Sequence, residues 1–394
     1  MTAHRTLYAY AWDIADRGVA AFVDEALALG MDSVALATSY HAGKFLRPHA
    51  PRGGRVVFPE DGVVYFNPSG HYGEITPRVH SDAVLRGVLR ALLDDGRLAV
   101  QGWTILLHNS ALGAAWPQYT ARNVFGDGYV YSLCPMNQAV FDYAVNLARD
   151  VAAQGVAAVL LETPGWLPYA HGYHHEFSQV RSNAWLDAML GLCMCDACAA
   201  AGKAAGVDTA ALKDRIAGSI DAYLDGAADA TPGQALDWLA DQQGDAELAA
   251  FLRLRNSRVT ALVRAIRAAL PPATSLAVIP TVQRPSAHAW MEGSDLAALA
   301  EAADWLEMPF YEPDCARTLA DAAETLRRAP AAKVRAILRP GPPDLGDGAQ
   351  LGAALDALTA LGISEFAFYN YGLLRRDRLA ALGTALAQFD RRTS

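Results

Sequence analysis

The sequence has little of what marks a membrane protein, a disulfide-rich secreted protein or a nucleic-acid-binding protein. No apolar run approaches the roughly 18 residues of a membrane span, and the N-terminal stretch MTAHRTLYAYAWDIADRG lacks the pattern of a signal peptide. Five cysteines in 394 residues are too few, and odd in number, for a disulfide framework. A net charge of −9 disfavours nucleic acid and anionic membranes as partners. We therefore expect a cytoplasmic protein.

The chain does contain a regular alternation of short apolar runs and alanine-rich helical patterns. Strand with helix in alternation indicates a parallel sheet, and eight such units predict a closed (β/α)8 TIM barrel over residues 1–394 as a single domain. A doubly wound open sheet is the alternative, but no glycine-rich phosphate loop follows the first run, which disfavours a dinucleotide-binding fold. The eight runs cover residues 7–12, 33–39, 98–108, 157–162, 275–280, 305–311, 333–339 and 365–371.

Two connections are too long for simple loops and are predicted to be insertions. The first, residues 40–81, follows the second strand, and within it the segments RVVF and VVYF flank PEDG in the manner of a β-hairpin. The second, residues 163–274, follows the fourth strand and is mainly helical in pattern. Both leave the face on which barrel enzymes carry their active sites, so we expect them to shape a pocket or an oligomer contact.

Two glutamates are placed for catalysis at the ends of predicted strands. Glu162 ends the apolar run AAVLLE, and Glu307 lies in WLEMPF. Glycoside hydrolysis uses two carboxyl groups, a proton donor and a nucleophile or general base, and their separation decides between retention and inversion. These two residues are the predicted catalytic pair. The alternative for Glu307 is a structural salt bridge to Arg339 or to another barrel residue, because an unpaired charge inside a strand would be unfavourable.

Other strand ends carry the side chains that a sugar site requires. Aromatic rings stack on the C–H faces of a sugar, and imidazole, amide and guanidinium groups bind its hydroxyls. We predict a small carbohydrate as substrate, with no cofactor and no metal. The predicted substrate-binding residues are Trp12, Tyr40, His41, Lys44, His108, Asn109, Trp166, Arg339, Tyr369 and Asn370.

The segment GLCMCDAC, residues 191–198, is the one dense cysteine cluster. A structural zinc site has four ligands, and this segment supplies three, so Cys134, His175 or Cys315 would have to complete it. Packing of three small side chains at a helix start is the favoured interpretation. The three cysteines are Cys193, Cys195 and Cys198.

Three segments resemble a pattern in glycoside-hydrolase-like TIM barrels of bacteria. They are CPMNQAVFDYA before the fourth strand, AVLLE on it and GLCMCDACAAAG beyond it, so the resemblance covers residues 130–205. It implies a carbohydrate-active enzyme and supports Glu162 as the carboxylate of strand 4. The positions on strands 4 and 6 are similar to those of the α-galactosidase-like clan. That clan has aspartates where this chain has Glu162 and Glu307, so the resemblance does not decide the mechanism.

Together these features favour a glycosidase that acts in exo fashion on a small oligosaccharide or glycoside, with Glu162 and Glu307 as catalytic groups. A divalent-metal-dependent sugar isomerase or epimerase is the alternative, with Glu162, Glu307 and His108 as its ligands. A barrel that binds sugar without catalysis is a third interpretation, and it predicts that Glu162 and Glu307 are far apart or salt-bridged to neighbours. A homo-oligomer built through the second insertion is also possible.

Overall fold

A computed structural model describes residues 4–171, 173 and 176–393, and in it eight parallel strands form a closed ring. Each strand pairs in parallel with the next, and the first pairs with both the second and the eighth. This arrangement confirms the predicted (β/α)8 barrel. The strands are β1 (Arg5–Ala9), β2 (Ser33–Tyr40), β3 (Ala99–Ile105), β4 (Ala158–Glu162), β5 (Ser275–Ile279), β6 (Trp305–Pro309), β7 (Val334–Leu338) and β8 (Glu365–Phe368).

Helices follow the strands and cover the outside of the ring. Aspartate side chains cap several of them, as at Asp314 and Asp347, where a carboxylate accepts a backbone N–H of the first turn. In the described part of the chain the helices are α1 (Ala11–Arg17), α2 (Val19–Ala28), α3 (Ala83–Asp95), α4 (Ser110–Ala115), α5 (Gln138–Ala153), α6 (Ala184–Leu190), α7 (Asp196–Ala204), α8 (Thr209–Leu224), α9 (Pro232–Gln243), α10 (Ala246–Ala269), α11 (Leu296–Ala302), α12 (Cys315–Arg328), α13 (Gly348–Ala360) and α14 (Arg376–Thr393). None of these is long and apolar enough to cross a membrane.

The insertion after β2 pairs its short strands differently from the prediction. Residues Val56–Val57 pair with Phe45–Leu46, whereas Val63–Val64 pair antiparallel with the end of β2 and parallel with Arg78–Val79. The predicted hairpin across PEDG is therefore wrong. The physical reason is burial: Val63 and Val64 are about 1% exposed against the barrel, while Val56 is 49% exposed. Val63 and Val64 therefore pair with the end of β2, whereas Val56 and Val57 pair outside the barrel.

The insertion after β4 contains helices α6 to α9 and ends in the long helix α10, which leads into β5. A third long connection, which the sequence pattern did not indicate, lies between β3 and α5. It contains α4, a 3-10 turn at Pro117–Tyr119 and an antiparallel pair formed by Thr120–Arg122 and Gly128–Leu133. This pair lies beside the second insertion, since the backbone N–H of Met194 donates to the carbonyl of Arg122. Three long connections therefore surround one end of the barrel.

The interior of the barrel is polar along part of its axis. Arg335 on β7 donates to the side chains of Gln101 on β3, at 3.0 Å, and of Glu307 on β6, at 2.8 Å. It also pairs with Glu365 at the start of β8, at 2.9 Å. Buried polar groups are tolerated when each finds a partner. This network fills the barrel below the cavity described next, and it fixes the position of Glu307.

Candidate active site

A cavity of about 350 Å³ opens at the carboxyl ends of the barrel strands. All eight strands, or the residues directly after them, contribute to it, which is the arrangement of active sites in enzymes with this fold. Its volume lies at the small end of the range for ligand pockets, about 300–1,000 Å³. The lining residues are Tyr8, Tyr40, His41, Trp103, Glu162, His171, Ile279, Thr281, Val282, Arg284, Pro309, Tyr311, Arg339 and Tyr369.

Glu162 is the one carboxylic acid among the described residues of the cavity wall. The indole N–H of Trp103 donates to its Oε2 at 2.5 Å. Burial raises the pKa of Glu162 to about 7, although this hydrogen bond opposes the shift. A carboxyl group with such a pKa is partly protonated at neutral pH and can donate a proton. Thr163, directly after it, has φ of +53°, a strained conformation for a β-branched residue of the kind that clusters at active sites.

Three tyrosine hydroxyls meet on the side of the cavity formed by β1, β2 and β8. The Tyr10 hydroxyl lies 2.9 Å from that of Tyr40 and 2.8 Å from that of Tyr369. Burial is the main cause that raises the pKa of all three above 10. They are therefore neutral at physiological pH and can both donate and accept hydrogen bonds. Such groups suit the hydroxyls of a sugar.

Two arginines, from the segments after β5 and β7, bring positive charge to the cavity wall. The Arg339 guanidinium lies 4.2 Å from the ring centroid of Tyr311 and 5.6 Å from that of Tyr369. Arg284 lies 5.4 Å from the same Tyr311 ring. The buried carboxylate of Asp344 holds both arginines, at 3.1 Å from Arg284 and 3.0 Å from Arg339. The guanidinium groups of Arg284 and Arg339 and the ring of Tyr311 are thereby held together in one wall of the cavity.

The structure does not bring Glu307 to the cavity wall. Its side chain is fully buried, accepts the Tyr8 hydroxyl at 2.7 Å and pairs with Arg335. Of the two alternatives that the sequence left open, the structural salt bridge is the one present, although its partner is Arg335 and not Arg339. Glu307 holds Tyr8, and Tyr8 in turn lines the cavity.

Of the predicted substrate-binding residues, four lie in the cavity wall: Tyr40, His41, Arg339 and Tyr369. His108 lies just behind them, with its ring 3.9 Å from that of His41. The others lie elsewhere. Trp12 stacks on Tyr10 inside the protein, and Lys44 is exposed but does not line the cavity. Asn109 caps α4 and Trp166 is buried. Asn370 accepts the backbone N–H of Gly372.

Several cavity residues were not among the predicted site residues. Tyr8 and Trp103 lie inside strand segments, and Arg284 lies in the loop after β5. Trp103 lies in the middle of the predicted run 98–108, so its position in the sequence did not mark it as a cavity residue. Nothing in the local sequence singles out Arg284, because its position depends on Asp344, sixty residues later.

Glu292 forms a buried carboxyl group behind the cavity. The Thr281 hydroxyl and the Val282 backbone N–H donate to its Oε1 at 2.6 and 2.8 Å. Burial raises the pKa of Glu292 to about 8, and the nearby charge of Glu162 adds to the shift. A buried carboxyl group with a raised pKa beside a cavity is typical of a functional site. Glu292 has no signal in the sequence, since it ends a 3-10 segment (Ser286–Glu292) outside any strand.

Replacement of Glu292 by glutamine should change the pH dependence of stability. A glutamate in an unfolded chain has a pKa of about 4.3, and the folded value is about 8. Between these values the folded protein holds a proton that the unfolded chain has lost, so the free energy of unfolding falls as pH rises. In Glu292→Gln this dependence disappears while Thr281 keeps an acceptor. The unfolding temperature of the variant, relative to wild type, should rise from pH 5 to pH 8.5.

The exposed residue Glu301 provides the control for that measurement. Glu301→Gln should keep the wild-type pH profile of unfolding temperature. Parallel profiles for Glu292→Gln and wild type would show that Glu292 carries a normal pKa.

An aromatic groove of about 440 Å³ adjoins the cavity. Tyr129 and Tyr131 stack in its wall with ring centroids 5.7 Å apart and planes inclined by 9°. Tyr169, Tyr173 and the highly exposed Phe177 also line it. The groove continues from the cavity through histidines, since the His108 ring lies 6.3 Å from that of Tyr131 and 5.4 Å from that of His171. Burial lowers the pKa of His171, which favours its neutral form.

Within the described residues, one group of side chains has the composition and spacing of a metal site, and it consists of cysteines. Cys134 lies with the three cysteines of residues 193–198 and forms a group of four with them. The zinc alternative named Cys134 as one residue that could complete the site, whereas the favoured packing interpretation did not include it. Cys315 lies elsewhere, on α12, and His175 falls outside the described residues. The carboxylates and imidazole required for a metal-dependent isomerase are not gathered in this way, because Glu307 is engaged by Arg335.

The fold is shared with solved glycosidase structures. An α-L-fucosidase isoenzyme 2 from Paenibacillus thiaminolyticus matches with a TM-score of 0.55 at 14% identity, over 100% of this chain and 50% of that one. A β-galactosidase from Marinomonas ef1 matches with a TM-score of 0.56 at 10% identity, over 98% and 59%. A β-galactosidase from Bacillus circulans sp. alkalophilus matches with a TM-score of 0.55 at 11% identity, over 99% and 56%.

The chain thus spans about half to three fifths of the length of these structures. No protein-family model matches it, and no curated protein matches it in sequence. At such low identity the likeness concerns the fold. The resemblance noted in the sequence is confirmed at that level: this chain has the barrel fold of glycoside hydrolases, and no single family is identified.

Proposed function

We propose that the protein is a glycosidase in which Glu162 donates the proton to the leaving oxygen. The observation that carries this proposal is a carboxyl group with a pKa of about 7 at the end of β4, facing a cavity at the catalytic end of a barrel. A proton donor works best when its pKa lies near the working pH. The Trp103 N–H orients the group and stabilises the carboxylate that forms after the proton leaves.

The second catalytic role falls, in this proposal, to the substrate. A mechanism with two enzyme carboxyl groups needs both within about 5–9.5 Å across the scissile bond, yet Glu307 is enclosed by Arg335 and Tyr8 below the cavity. In substrate-assisted glycosidases the enzyme supplies the proton donor, and the nucleophile is a group of the substrate itself. In a 2-acetamido sugar this nucleophile is the carbonyl oxygen of the acetamido group. We therefore propose 2-acetamido sugars as the preferred substrates.

The shape of the cavity supports exo action. Its floor is formed by Tyr8, which is about 1% exposed, and its volume of about 350 Å³ suits a single sugar ring. The terminal sugar would lie between the tyrosine hydroxyls and the Arg339 wall. The leaving group would extend past His171 into the aromatic groove, where tyrosine faces can stack on a sugar or an aryl group.

A panel of chromogenic glycosides tests the proposal. Each hexoside is paired with its 2-acetamido counterpart, and the products are followed with wild-type protein. Turnover of the acetamido member with little turnover of its hexoside supports substrate assistance. Equal turnover of both would overturn the substrate-assisted step and would mean that a second group of the enzyme acts as nucleophile or general base. Binding of sugar by calorimetry without any turnover would identify a sugar-binding barrel, the third interpretation above.

Removal of an aromatic face from the groove should weaken the binding of long substrates selectively. We expect Tyr131→Ala to raise KM for disaccharides and aryl glycosides about 2- to 12-fold, since one aromatic contact contributes about 0.5–1.5 kcal/mol. Methyl glycosides, which do not reach the groove, should keep their wild-type KM. Steady-state kinetics on matched methyl and aryl substrates provides the measurement.

Phe125 offers a control for this variant. It is an exposed aromatic residue between the strands Thr120–Arg122 and Gly128–Leu133, the second of which contains Tyr131, but it lies outside the groove. Phe125→Ala should leave both substrate classes unaffected. A uniform rise of KM in Tyr131→Ala, for methyl and aryl glycosides alike, would argue against a leaving-group site in the groove.

A further inference from the structure

Four cysteine sulfurs meet in the interior between the two excursions that follow β3 and β4. Cys134 Sγ lies 3.4 Å from that of Cys198, 3.6 Å from Cys195 and 3.8 Å from Cys193. All four sulfurs lie within 4.8 Å of one another and all four residues are buried. These separations exceed the roughly 2.05 Å of a disulfide bond. Zinc bound tetrahedrally at about 2.3 Å places its sulfur ligands about 3.8 Å apart, which is close to the spacing found here.

We propose that Cys134, Cys193, Cys195 and Cys198 bind one zinc ion as a structural centre with four thiolate ligands. Sulfur-only tetrahedral sites select zinc or iron, and closed four-ligand sites are the structural kind. The ligand pattern is a single cysteine from one excursion and a C-x-C-x-x-C segment from the other. This proposal is independent of the glycosidase proposal, since none of the four cysteines lines the cavity.

The surroundings of the sulfurs are those of thiolates. The Trp166 indole N–H donates to Cys134 Sγ at 3.3 Å, and the Arg122 backbone N–H donates to Cys193 Sγ at 3.3 Å. Such outer hydrogen bonds orient metal ligands. Zinc with four thiolates keeps two negative charges. Two arginines, Arg255 and Arg258, interact electrostatically with the sulfurs, and the first is about 1% exposed.

The centre would fasten the loop that follows Glu162. Trp166 lies four residues after Glu162, and its ring is fixed by Cys134 on one side and by the Arg255 guanidinium, at 4.5 Å, on the other. The backbone N–H of Trp166 donates to the carbonyl of Glu292 at 3.1 Å. The metal thereby connects the excursions after β3 and β4 to the loop after β5. Its proposed role is to hold these three connections together around the cavity.

Metal analysis of the intact chain is the test. Wild-type protein is purified without added metal or chelator, and its metals are measured by inductively coupled plasma mass spectrometry. We expect one zinc per chain in wild type. Cys195→Ser and Cys198→Ser should each lose it and unfold at lower temperature. The control Cys315→Ser removes a cysteine of α12 outside the group, and it should keep the full zinc content.

A second measurement covers the case in which the serine variants do not fold. Wild-type protein is depleted with a chelator under reducing conditions and reloaded with cobalt, which should produce the intense visible absorption of tetrahedral cobalt thiolate. A wild type that holds no stoichiometric metal, and takes up neither zinc nor cobalt when reduced, would overturn the proposal. Stoichiometric iron would overturn the assignment to zinc. Zinc retained in both serine variants would place it at other residues.

Discussion

Glu162→Gln is expected to lower kcat/KM about 10²- to 10⁴-fold, which is the usual contribution of a general acid. The fold should persist, because the glutamine oxygen can still accept the Trp103 N–H that Glu162 accepts at 2.5 Å. The loss should be largest for alkyl glycosides, whose leaving oxygen needs a proton. It should be small for dinitrophenyl glycosides, whose leaving group is already stable as an anion. Steady-state kinetics across leaving groups measures this dependence.

The pH profile gives a separate readout of the same residue. A general acid acts in its protonated form, and the pKa of Glu162 is raised to about 7 by burial. Wild-type kcat/KM should therefore fall as pH rises through about 7, and this limb should be absent from Glu162→Gln. Glu312→Gln serves as the control, because Glu312 lies just beyond β6 but does not line the cavity. A full loss of activity in Glu312→Gln with Glu162→Gln active would identify a different acid.

Arg335→Met is expected to reduce the free energy of unfolding by about 3–5 kcal/mol, the usual effect of removing one partner from a buried ion pair. Arg335 is about 5% exposed and its partner Glu307 is fully buried. Without the guanidinium, Glu307 keeps only the Tyr8 hydroxyl as its partner among the described contacts of the barrel. Denaturant unfolding monitored by circular dichroism gives the value. Arg392→Met, which breaks an exposed pair with Asp356, should change stability by less than about 1 kcal/mol.

Glu307→Gln separates the structural role of Glu307 from the catalytic role predicted from sequence. We expect this variant to be less stable than wild type and to keep kcat within about tenfold, roughly one 1.4 kcal/mol step in the barrier, since Arg335 retains Glu365 and Tyr8 retains an oxygen to bond. A stable variant that loses activity as Glu162→Gln does would contradict this assignment. Such a result would make Glu307 the second catalytic carboxylate.

The sequence placed a residue in the cavity wall correctly where a strand end alone decides its position. Glu162 ends an apolar run, and the carboxyl ends of parallel strands meet at one rim, so its place follows from the pattern. The prediction failed for Trp12 because β1 ends at Ala9 and α1 begins at Ala11, which puts the indole in a helix. It was incomplete for Glu307 because this residue lies in the middle of β6 and not at its end. At that depth, below the cavity, Tyr8 and Arg335 engage its carboxylate.

The barrel, the long insertions after β2 and β4 and the carboxylate at the end of β4 could all be predicted from the sequence, because they follow from hydrophobic periodicity and segment length along the chain. Contacts between groups that are distant in the chain could not be predicted in this way. Cys134 lies beside cysteines about sixty residues away in the chain. Glu292, in a 3-10 segment, accepts a hydrogen bond from Thr281, and Arg335 forms an ion pair with Glu307 on the neighbouring strand. Each of these contacts depends on how separate loops and strands pack in three dimensions, and the spacing of residues along the chain does not predict that packing.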